Sequence, residues 1–186
     1  MARAMPMVLL LFLFVLPAVA AERGGKGPVV SPADCGVRLL ADREYLPALL
    51  QAIDRARQEI VLSAFFFKTN GFADHQPDQV LAHLQKAAGR GVRVVAVLER
   101  GPEGDNVSPE NRITAEKMGR SGIFVCFDAP DRTTHAKLVV IDRRVLFVGS
   151  HNLTQSALKY NHEVSVRIDS PALAEEALRY LKSICP

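Results

Sequence analysis

The feature that most constrains the fold of this 186-residue chain is a pair of apolar runs separated by only three residues. The runs span 137–141 and 145–149, and the connection between them is Asp142-Arg143-Arg144. A link this short can join only antiparallel strands, because parallel neighbours need a crossover of a dozen or more residues. The segment therefore predicts a β-hairpin whose turn lies at 142–144.

Short apolar runs alternate with segments of helical periodicity over the rest of the chain. Besides the hairpin, the predicted strands are 37–41, 59–67, 92–98, 123–127 and 163–168. The predicted helices are 45–57, 78–88, 112–120 and a last one that Ser170 caps and Pro171 begins. This order predicts a single-domain α/β fold in which a mixed sheet is sandwiched between helices, with parallel pairing among the early strands.

The amino-terminal residues predict an export signal. A basic start precedes the apolar stretch 7–16, and a small-residue pattern follows at 18–20. This is the layout of a signal peptide at 1–20, and the apolar stretch falls short of the ~20 residues that a spanning helix needs. We expect a Gly/Pro-rich linker at 21–34 and a folded domain at 35–186, in a secreted or periplasmic protein. Membrane anchoring by an uncleaved signal is the alternative.

Composition and cysteine placement bear on the partners, the disulfides and the metal or cofactor content that we expect. A net charge of +3 does not by itself indicate a nucleic-acid partner. Export permits a disulfide, and we predict that Cys35 pairs with Cys185 because they lie near the two ends of the mature chain. Cys126 is expected to be a buried small apolar residue. The cysteine spacings fit no zinc pattern, and no Gly-rich phosphate loop is present, so we predict no metal and no cofactor.

The predicted hairpin brings polar residues from its two open ends together. Antiparallel pairing sets Lys137 opposite Gly149, so His135, Lys137, Ser150 and Asn152 gather at the end of the sheet away from the turn. An ammonium, an amide and a hydroxyl can hold phosphate oxygens, and a histidine beside them can attack phosphorus or move a proton. Each residue alone is typical of a solvated strand end or a turn, but the combination predicts a phosphate-handling site.

The stretch "HAKLVVIDRRVLFVGSHN" at 135–152 resembles the His-Lys-Asp motif of the phospholipase D superfamily, with its trailing Gly-Ser-x-Asn. Asn-His-Glu at 161–163 resembles the downstream Asn-x-Glu of the same family. The α/β order from about 37 to 184 is similar to that of single-motif members, including the small bacterial nonspecific endonucleases. The resemblance makes 35–186 a phospholipase D-like catalytic domain.

The resemblance implies a role for each motif residue. His135 would be the nucleophile that forms a covalent phosphohistidine. Lys137 and Asn152 would stabilise charge on the phosphoryl oxygens, and Ser150 would support that cradle. Glu163 would orient a histidine by accepting a hydrogen bond from its second ring nitrogen.

Other positions in and near the motif are expected to be structural. Asp142 lies at the turn, the wrong end of the hairpin for direct chemistry, and we predict a turn-forming aspartate bonded to nearby backbone. Gly149 would let backbone or ligand approach closely. His151 and His162 are expected at the rim of the site, and the phenylalanines at 65–67 in the core.

The family mechanism uses two histidines, whereas this sequence has one motif. Two-motif relatives carry both in one chain, so we expect a homodimer whose shared active site places the two copies of His135 face to face. The favoured function is a metal-independent nonspecific endonuclease, because the chain is compact and has a single motif. The small positive net charge argues against this function, since binding of a nucleic-acid strand usually needs a more basic surface. A phospholipase D acting on phospholipid head groups is the alternative. A transferase and an inactive binding module are minor ones.

Overall fold

In a computed structural model, described for residues 36–101, 104–129 and 132–185, seven strands form one mixed sheet and five helices flank it. The strands are β1 (Gly36–Ala41), β2 (Glu59–Ala64), β3 (Arg93–Leu98), β4 (Phe124–Phe127), β5 (Leu138–Ile141), β6 (Val145–Gly149) and β7 (Val164–Asp169). The helices are α1 (Tyr45–Arg55), α2 (Gln76–Gly89), α3 (Val107–Gly119), α4 (Gln155–Lys159) and α5 (Pro171–Ile184).

The strand order of the sheet is β1-β7-β6-β5-β2-β3-β4. Strands β2, β3 and β4 are parallel, and β5 and β6 form the antiparallel hairpin, as predicted. Strand β1 departs from the expected parallel pairing, since it lies at the far edge and pairs antiparallel with β7. Pairing between distant strands depends on packing that local sequence patterns do not encode.

Helices cover both faces of the sheet, which confirms the predicted sandwich. On one face, α1 and α2 pack against alternate residues of β2 such as Ile60 and Leu62 in the larger core cluster. On the other face, Val61 and Val140 pack against Leu178 of α5. Because side chains alternate across a strand, a fully buried strand such as β2 supplies both cores.

Helix boundaries follow capping chemistry. Ser170 accepts a hydrogen bond from the Leu173 amide at 3.4 Å and Pro171 opens α5, as the sequence predicted. The sequence gives no periodic signal for the five-residue helix α4, which Thr154 caps by accepting from the Ala157 amide at 3.3 Å. This helix follows the hairpin and is too short to show periodicity.

The structure contains a disulfide between Cys126 and Cys185, with Cα atoms 6.1 Å apart. The predicted Cys35–Cys185 pairing is therefore wrong, and Cys126 is not a free apolar residue. The end of α5 lies over the edge strand β4, so Cys185 meets a cysteine that is distant in sequence. Cys35, the predicted signal peptide and the predicted linker lie outside the described residues. Within the described ranges, no helix is both long and apolar enough to cross a membrane.

Candidate active site

The site lies where β5 begins and β6 ends, in the middle of the sheet. Leu138 pairs with Val148. The same register, extended by one residue, places Lys137 opposite Gly149, as predicted. On its other side β5 pairs antiparallel with β2, and Ser63 stands opposite Leu138. The amino end of β5 therefore lies at the same edge as the carboxyl ends of the parallel strands, the edge at which α/β sheets hold ligands.

His135 presents an exposed imidazole at this edge, next to Lys137. The Lys137 ammonium lies 3.2 Å from His135 Nδ1 and donates to the His135 carbonyl oxygen at 2.8 Å. The Phe65 ring packs on the imidazole, with centroids 4.4 Å apart, and lies 5.1 Å from the ammonium. The expectation that Phe65 belongs to the core is thus wrong, because β2 ends at Ala64 and the ring turns outward to the site.

The Lys137 ammonium is half-buried, and this burial lowers its pKa, while the charge of Glu163 acts in the opposite direction. A cation that has lost part of its hydration gains more from a bound anion than a fully solvated one does. The position of Lys137 beside an exposed imidazole therefore suits a phosphate oxygen.

Ser150 and Glu163 form a hydrogen-bonded unit on the neighbouring strands. The Ser150 hydroxyl donates to Glu163 Oε2 and accepts from the Val164 amide at 3.1 Å. Asn161 Nδ2 donates to Glu163 Oε1 at 3.0 Å. Within the described chain, Glu163 thus holds Ser150 and Asn161, and the expected hydrogen bond to a histidine is not formed.

The backbone of Glu163 is fixed by Asp42, which follows β1 with a positive φ of 49°. Asp42 Oδ1 accepts from the Glu163 amide at 2.9 Å, and the Asp42 amide donates to the Glu163 carbonyl at 2.8 Å. The hydrogen bond from the Glu163 amide lowers the pKa of Asp42, with a further contribution from His162. His162 is itself fully exposed and lies 3.1 Å from Asp42 Oδ2.

His151 lies in the interior and not at the rim, which corrects the sequence expectation. Its ring is 2% exposed and stacks on Tyr45 at 4.3 Å with an interplanar angle of 9°. Nε2 donates to the Asp42 carbonyl at 2.9 Å, and Nδ1 accepts from the Ser165 hydroxyl at 2.8 Å. Burial lowers its pKa, so the ring is neutral and structural.

Gly149 and Asn152 occupy the remaining motif positions at this edge. A Cβ atom on Gly149 would overlap the backbone of Ser165 on β7, so β6 and β7 approach closely where the residue is glycine. Asn152 is half-buried, and its Oδ1 has no hydrogen-bond partner in the part of the chain that the structure describes. The amide group of Asn152 therefore carries hydrogen-bonding capacity that this part of the chain does not use.

Asp142 lies at the opposite end of the hairpin, as predicted. Its carboxylate accepts from the amides of Arg57 at 2.9 Å, Gln58 at 2.8 Å and Glu59 at 3.0 Å. The expected bonds to nearby backbone of the turn are replaced by bonds to the connection between α1 and β2 and to Glu59 at the start of β2. Asp142 therefore clamps the central strand β2 to the turn.

Comparison with known proteins assigns the family. The family model for the cardiolipin synthase, PLD-like domain matches residues 49–185. The chain belongs to the phospholipase D superfamily. Members of this superfamily are phosphodiester-acting enzymes.

The curated relatives of this phospholipase D-like chain are longer than it is. Cardiolipin synthase B of Shigella flexneri is 30% identical over an alignment 158 residues long, which covers 77% of this chain and 37% of that protein. Cardiolipin synthase A of Proteus mirabilis is 32% identical over 130 residues, which are 69% of this chain and 25% of that protein. The chain thus spans between a quarter and a little more than a third of the length of these relatives.

Solved structures confirm the phospholipase D-like fold. Nuc from Salmonella typhimurium, a phospholipase D family member, is 26% identical with a TM-score of 0.68, and the match covers 81% of this chain and 93% of that one. The phosphatidylserine synthase of Haemophilus influenzae shares the fold at 18% identity and a TM-score of 0.65, over 86% of this chain and 40% of that one.

A cavity of about 520 Å³ lies on the same edge of this phospholipase D-like domain, where β3 and β4 end. Arg100, Arg112 and Phe127 line it, together with Ser108 and Asp105. The Arg100 guanidinium carbon lies 5.7 Å from the centre of the Phe127 ring. Arg100 belongs to no motif of the sequence, and only the strand order shows that it shares an edge with His135.

Proposed function

We propose that this chain hydrolyses phosphodiesters through a covalent phosphohistidine at His135, without a metal ion. The observation that carries the proposal is the exposed His135 imidazole with the Lys137 ammonium 3.2 Å from its ring. A nucleophile beside a partly desolvated cation can attack phosphorus while the cation holds the oxygens that gain charge. Asn152 and Ser150 lie on the adjoining strand end, where they would complete the cradle.

The proposed reaction has two displacements. In the first, a ring nitrogen of His135 attacks phosphorus and the bond to the leaving alcohol breaks, while a second acid protonates that alcohol. In the second, the same group, now a base, takes a proton from water, and the attacking oxygen displaces His135 from phosphorus. The second group must titrate near neutrality, which favours another histidine.

We propose that this second histidine is His135 of another copy of the chain. Each of the other four histidines is engaged in its own chain: His75 with Asp78, His83 with Asp54, His162 with Asp42, and His151 in the core. A two-fold axis through the site would bring two copies of His135 to one phosphate. Any contact of Glu163 with a histidine would then cross that axis.

Mixed dimers test this proposal. Wild type and His135→Ala are unfolded together in equal amounts, refolded, and assayed against each parent. If one site needs both histidines, only wild-type homodimers work, and activity is about one quarter of an equal total of wild type. Independent active monomers would give about one half and would refute the shared site.

For the substrate, we propose a nucleic acid. The support is the cavity lined by Arg100, Arg112 and Phe127, on the edge that carries His135. Strands lie about 4.8 Å apart, so β3 and β4 are roughly 10–15 Å from β5 across the sheet. Guanidinium groups and an aromatic ring at that distance suit the phosphates and a base of a strand that extends beyond the scissile bond.

A lipid substrate is the second candidate. The observation that favours it is the match of residues 49–185 to the PLD-like domain of cardiolipin synthases. The same phosphohistidine would then carry a phosphatidyl group, which water or another alcohol would remove. Both candidates use His135 and Lys137, so only the substrate distinguishes them.

A substrate panel in excess chelator decides between the two. Plasmid DNA, single-stranded DNA, RNA and vesicles of phosphatidylcholine and phosphatidylglycerol are each incubated with wild type and with His135→Ala. We expect wild type alone to cleave the nucleic acids. The double variant Arg100→Ala/Arg112→Ala should raise KM for DNA and leave turnover of bis(p-nitrophenyl) phosphate unchanged. Turnover of vesicles without cleavage of nucleic acid would overturn the nuclease proposal.

We also propose that the protein is exported. The Cys126–Cys185 disulfide supports this, because disulfides form and persist in oxidising compartments. Amino-terminal sequencing of protein from the culture medium or periplasm should show a start near residue 21. A membrane-bound protein with an intact amino terminus would favour the uncleaved anchor.

A further inference from the structure

Two acidic residues meet beneath the segment that carries His135. Glu99 follows β3 and Asp128 follows β4, and these strands are parallel neighbours in which Leu98 pairs with Phe127. The next residue of each strand is thus an acid at the same level of the sheet. Glu99 is 2% exposed and Asp128 is 4% exposed, so both carboxyl groups are removed from water.

A single backbone N–H group joins the two acids. The Thr134 amide donates to Glu99 Oε2 at 2.6 Å and to Asp128 Oδ2 at 2.9 Å. The other carboxyl oxygen of Asp128 accepts from the Arg100 amide at 2.8 Å. Two carboxyl oxygens that share one donor lie close together, and two negative charges at that separation are unfavourable in a buried site.

The surroundings favour one retained proton. Burial, followed by the side-chain hydrogen bond to Asp128, raises the pKa of Glu99 to about 7. The charged groups that act on Glu99 are Asp128 and, from the loop before α3, Asp105, and both are acidic. The Thr134 amide acts in the opposite direction and favours the ionised form.

We propose that Glu99 and Asp128 share one proton and position His135 through the backbone N–H of Thr134. Thr134 directly precedes His135, and residues 132–137 belong to neither a helix nor a strand. The imidazole is exposed, so its location depends on how the backbone before it is held. Glu99 and Asp128 are positioning residues, and their role in catalysis rests on the proposed function of His135.

The Thr134 amide gives a test that needs no enzymatic activity. Its ¹H and ¹⁵N chemical shifts are followed from about pH 5 to about pH 9 in wild type, Glu99→Gln and Glu59→Ala. We expect a titration near neutral pH in wild type and its loss in Glu99→Gln, in which the amide mimics the protonated acid. Glu59 is a buried glutamate at the opposite end of the sheet, so Glu59→Ala should titrate like wild type. A flat wild-type profile, or an unchanged one in Glu99→Gln, would overturn the proposal.

Kinetics test the consequence for catalysis. With bis(p-nitrophenyl) phosphate at about pH 6, Glu99→Ala should lose about tenfold to hundredfold in kcat with KM nearly unchanged, because the nucleophile is misplaced. Glu99→Gln should keep a kcat near that of wild type at this pH, because the amide mimics the protonated acid. Wild-type kcat in Glu99→Ala, or a loss no larger than that of Glu59→Ala, would refute the positioning role. If wild type does not turn over the ester, the proposed function fails and the amide titration still decides this proposal.

Discussion

Replacement of Asp142 tests whether this motif residue has a structural or a catalytic role. In Asp142→Ala, three backbone amides lose their acceptor. The amides of Arg57 and Gln58 are exposed, so water replaces the carboxylate there. The Glu59 amide is part-buried and loses a charge-assisted hydrogen bond worth about 1.5–3 kcal/mol. Alanine in the left-handed region, at the φ of 50° that Asp142 adopts, costs about 1 kcal/mol more. The free energy of unfolding should therefore fall by about 3 kcal/mol in total.

Urea denaturation and kinetics together check this value. With an m-value of about 2 kcal/mol per molar urea, the midpoint of Asp142→Ala should fall by about 1.5 M. Asp142→Asn keeps an acceptor oxygen and tolerates the positive φ, so it should lose only about 1 kcal/mol. Both variants should keep the wild-type kcat without urea. A large loss of kcat in folded Asp142→Asn, with an unchanged midpoint, would show that the carboxylate serves the chemistry.

Three further perturbations test other contacts. Gly149→Ala should lower the free energy of unfolding in urea by about 3 kcal/mol or more, because the added Cβ forces β6 away from β7. Gly89→Ala is the control and should not lower it, because the space around Gly89 is open. Reducing the Cys126–Cys185 bond, which spans 59 residues, should lower the free energy of unfolding by about 4 kcal/mol in the same assay. The pKa of His151 is lower in the folded state, so the unfolded state takes up the proton at a higher pH than the folded state does. The free energy of unfolding should therefore fall as pH drops below about 6.5. This fall should be smaller in His151→Gln.

Local patterns were sufficient for the hairpin and for most elements of the phospholipase D-like fold. A three-residue connection permits one pairing direction, and strand alternation then fixes which side chains share an end. The placement of His135 and Lys137 opposite Ser150 and Asn152 follows from this register alone. Asp142 could be assigned to the far end for the same reason.

Features that depend on strand order could not be read from the sequence. Cys126 meets Cys185 because the end of α5 lies over an edge strand, and no local pattern encodes which strand is at the edge. Glu99 and Asp128 are single acids after two apolar runs, and only the parallel pairing of β3 and β4 brings them together.

The burial of His151 could not be predicted from the sequence for a different reason. A histidine between a serine and an asparagine in a polar stretch is typical of an exposed position. Its burial results from Tyr45 and Ser165, which come from α1 and β7 and supply a stacking surface and a hydrogen bond. Tertiary partners of this kind decide the environment of an isolated polar residue.

A covalent bond between His135 and phosphorus is the central step of the proposed hydrolysis. Wild type and His135→Ala are mixed with a phosphodiester in excess chelator, quenched within a turnover under alkaline conditions, digested, and analysed by mass spectrometry. We expect a phosphoryl adduct on the peptide that contains His135 in wild type, and neither adduct nor turnover in the variant. Turnover by His135→Ala, or rapid turnover by wild type with no adduct on that peptide, would contradict it.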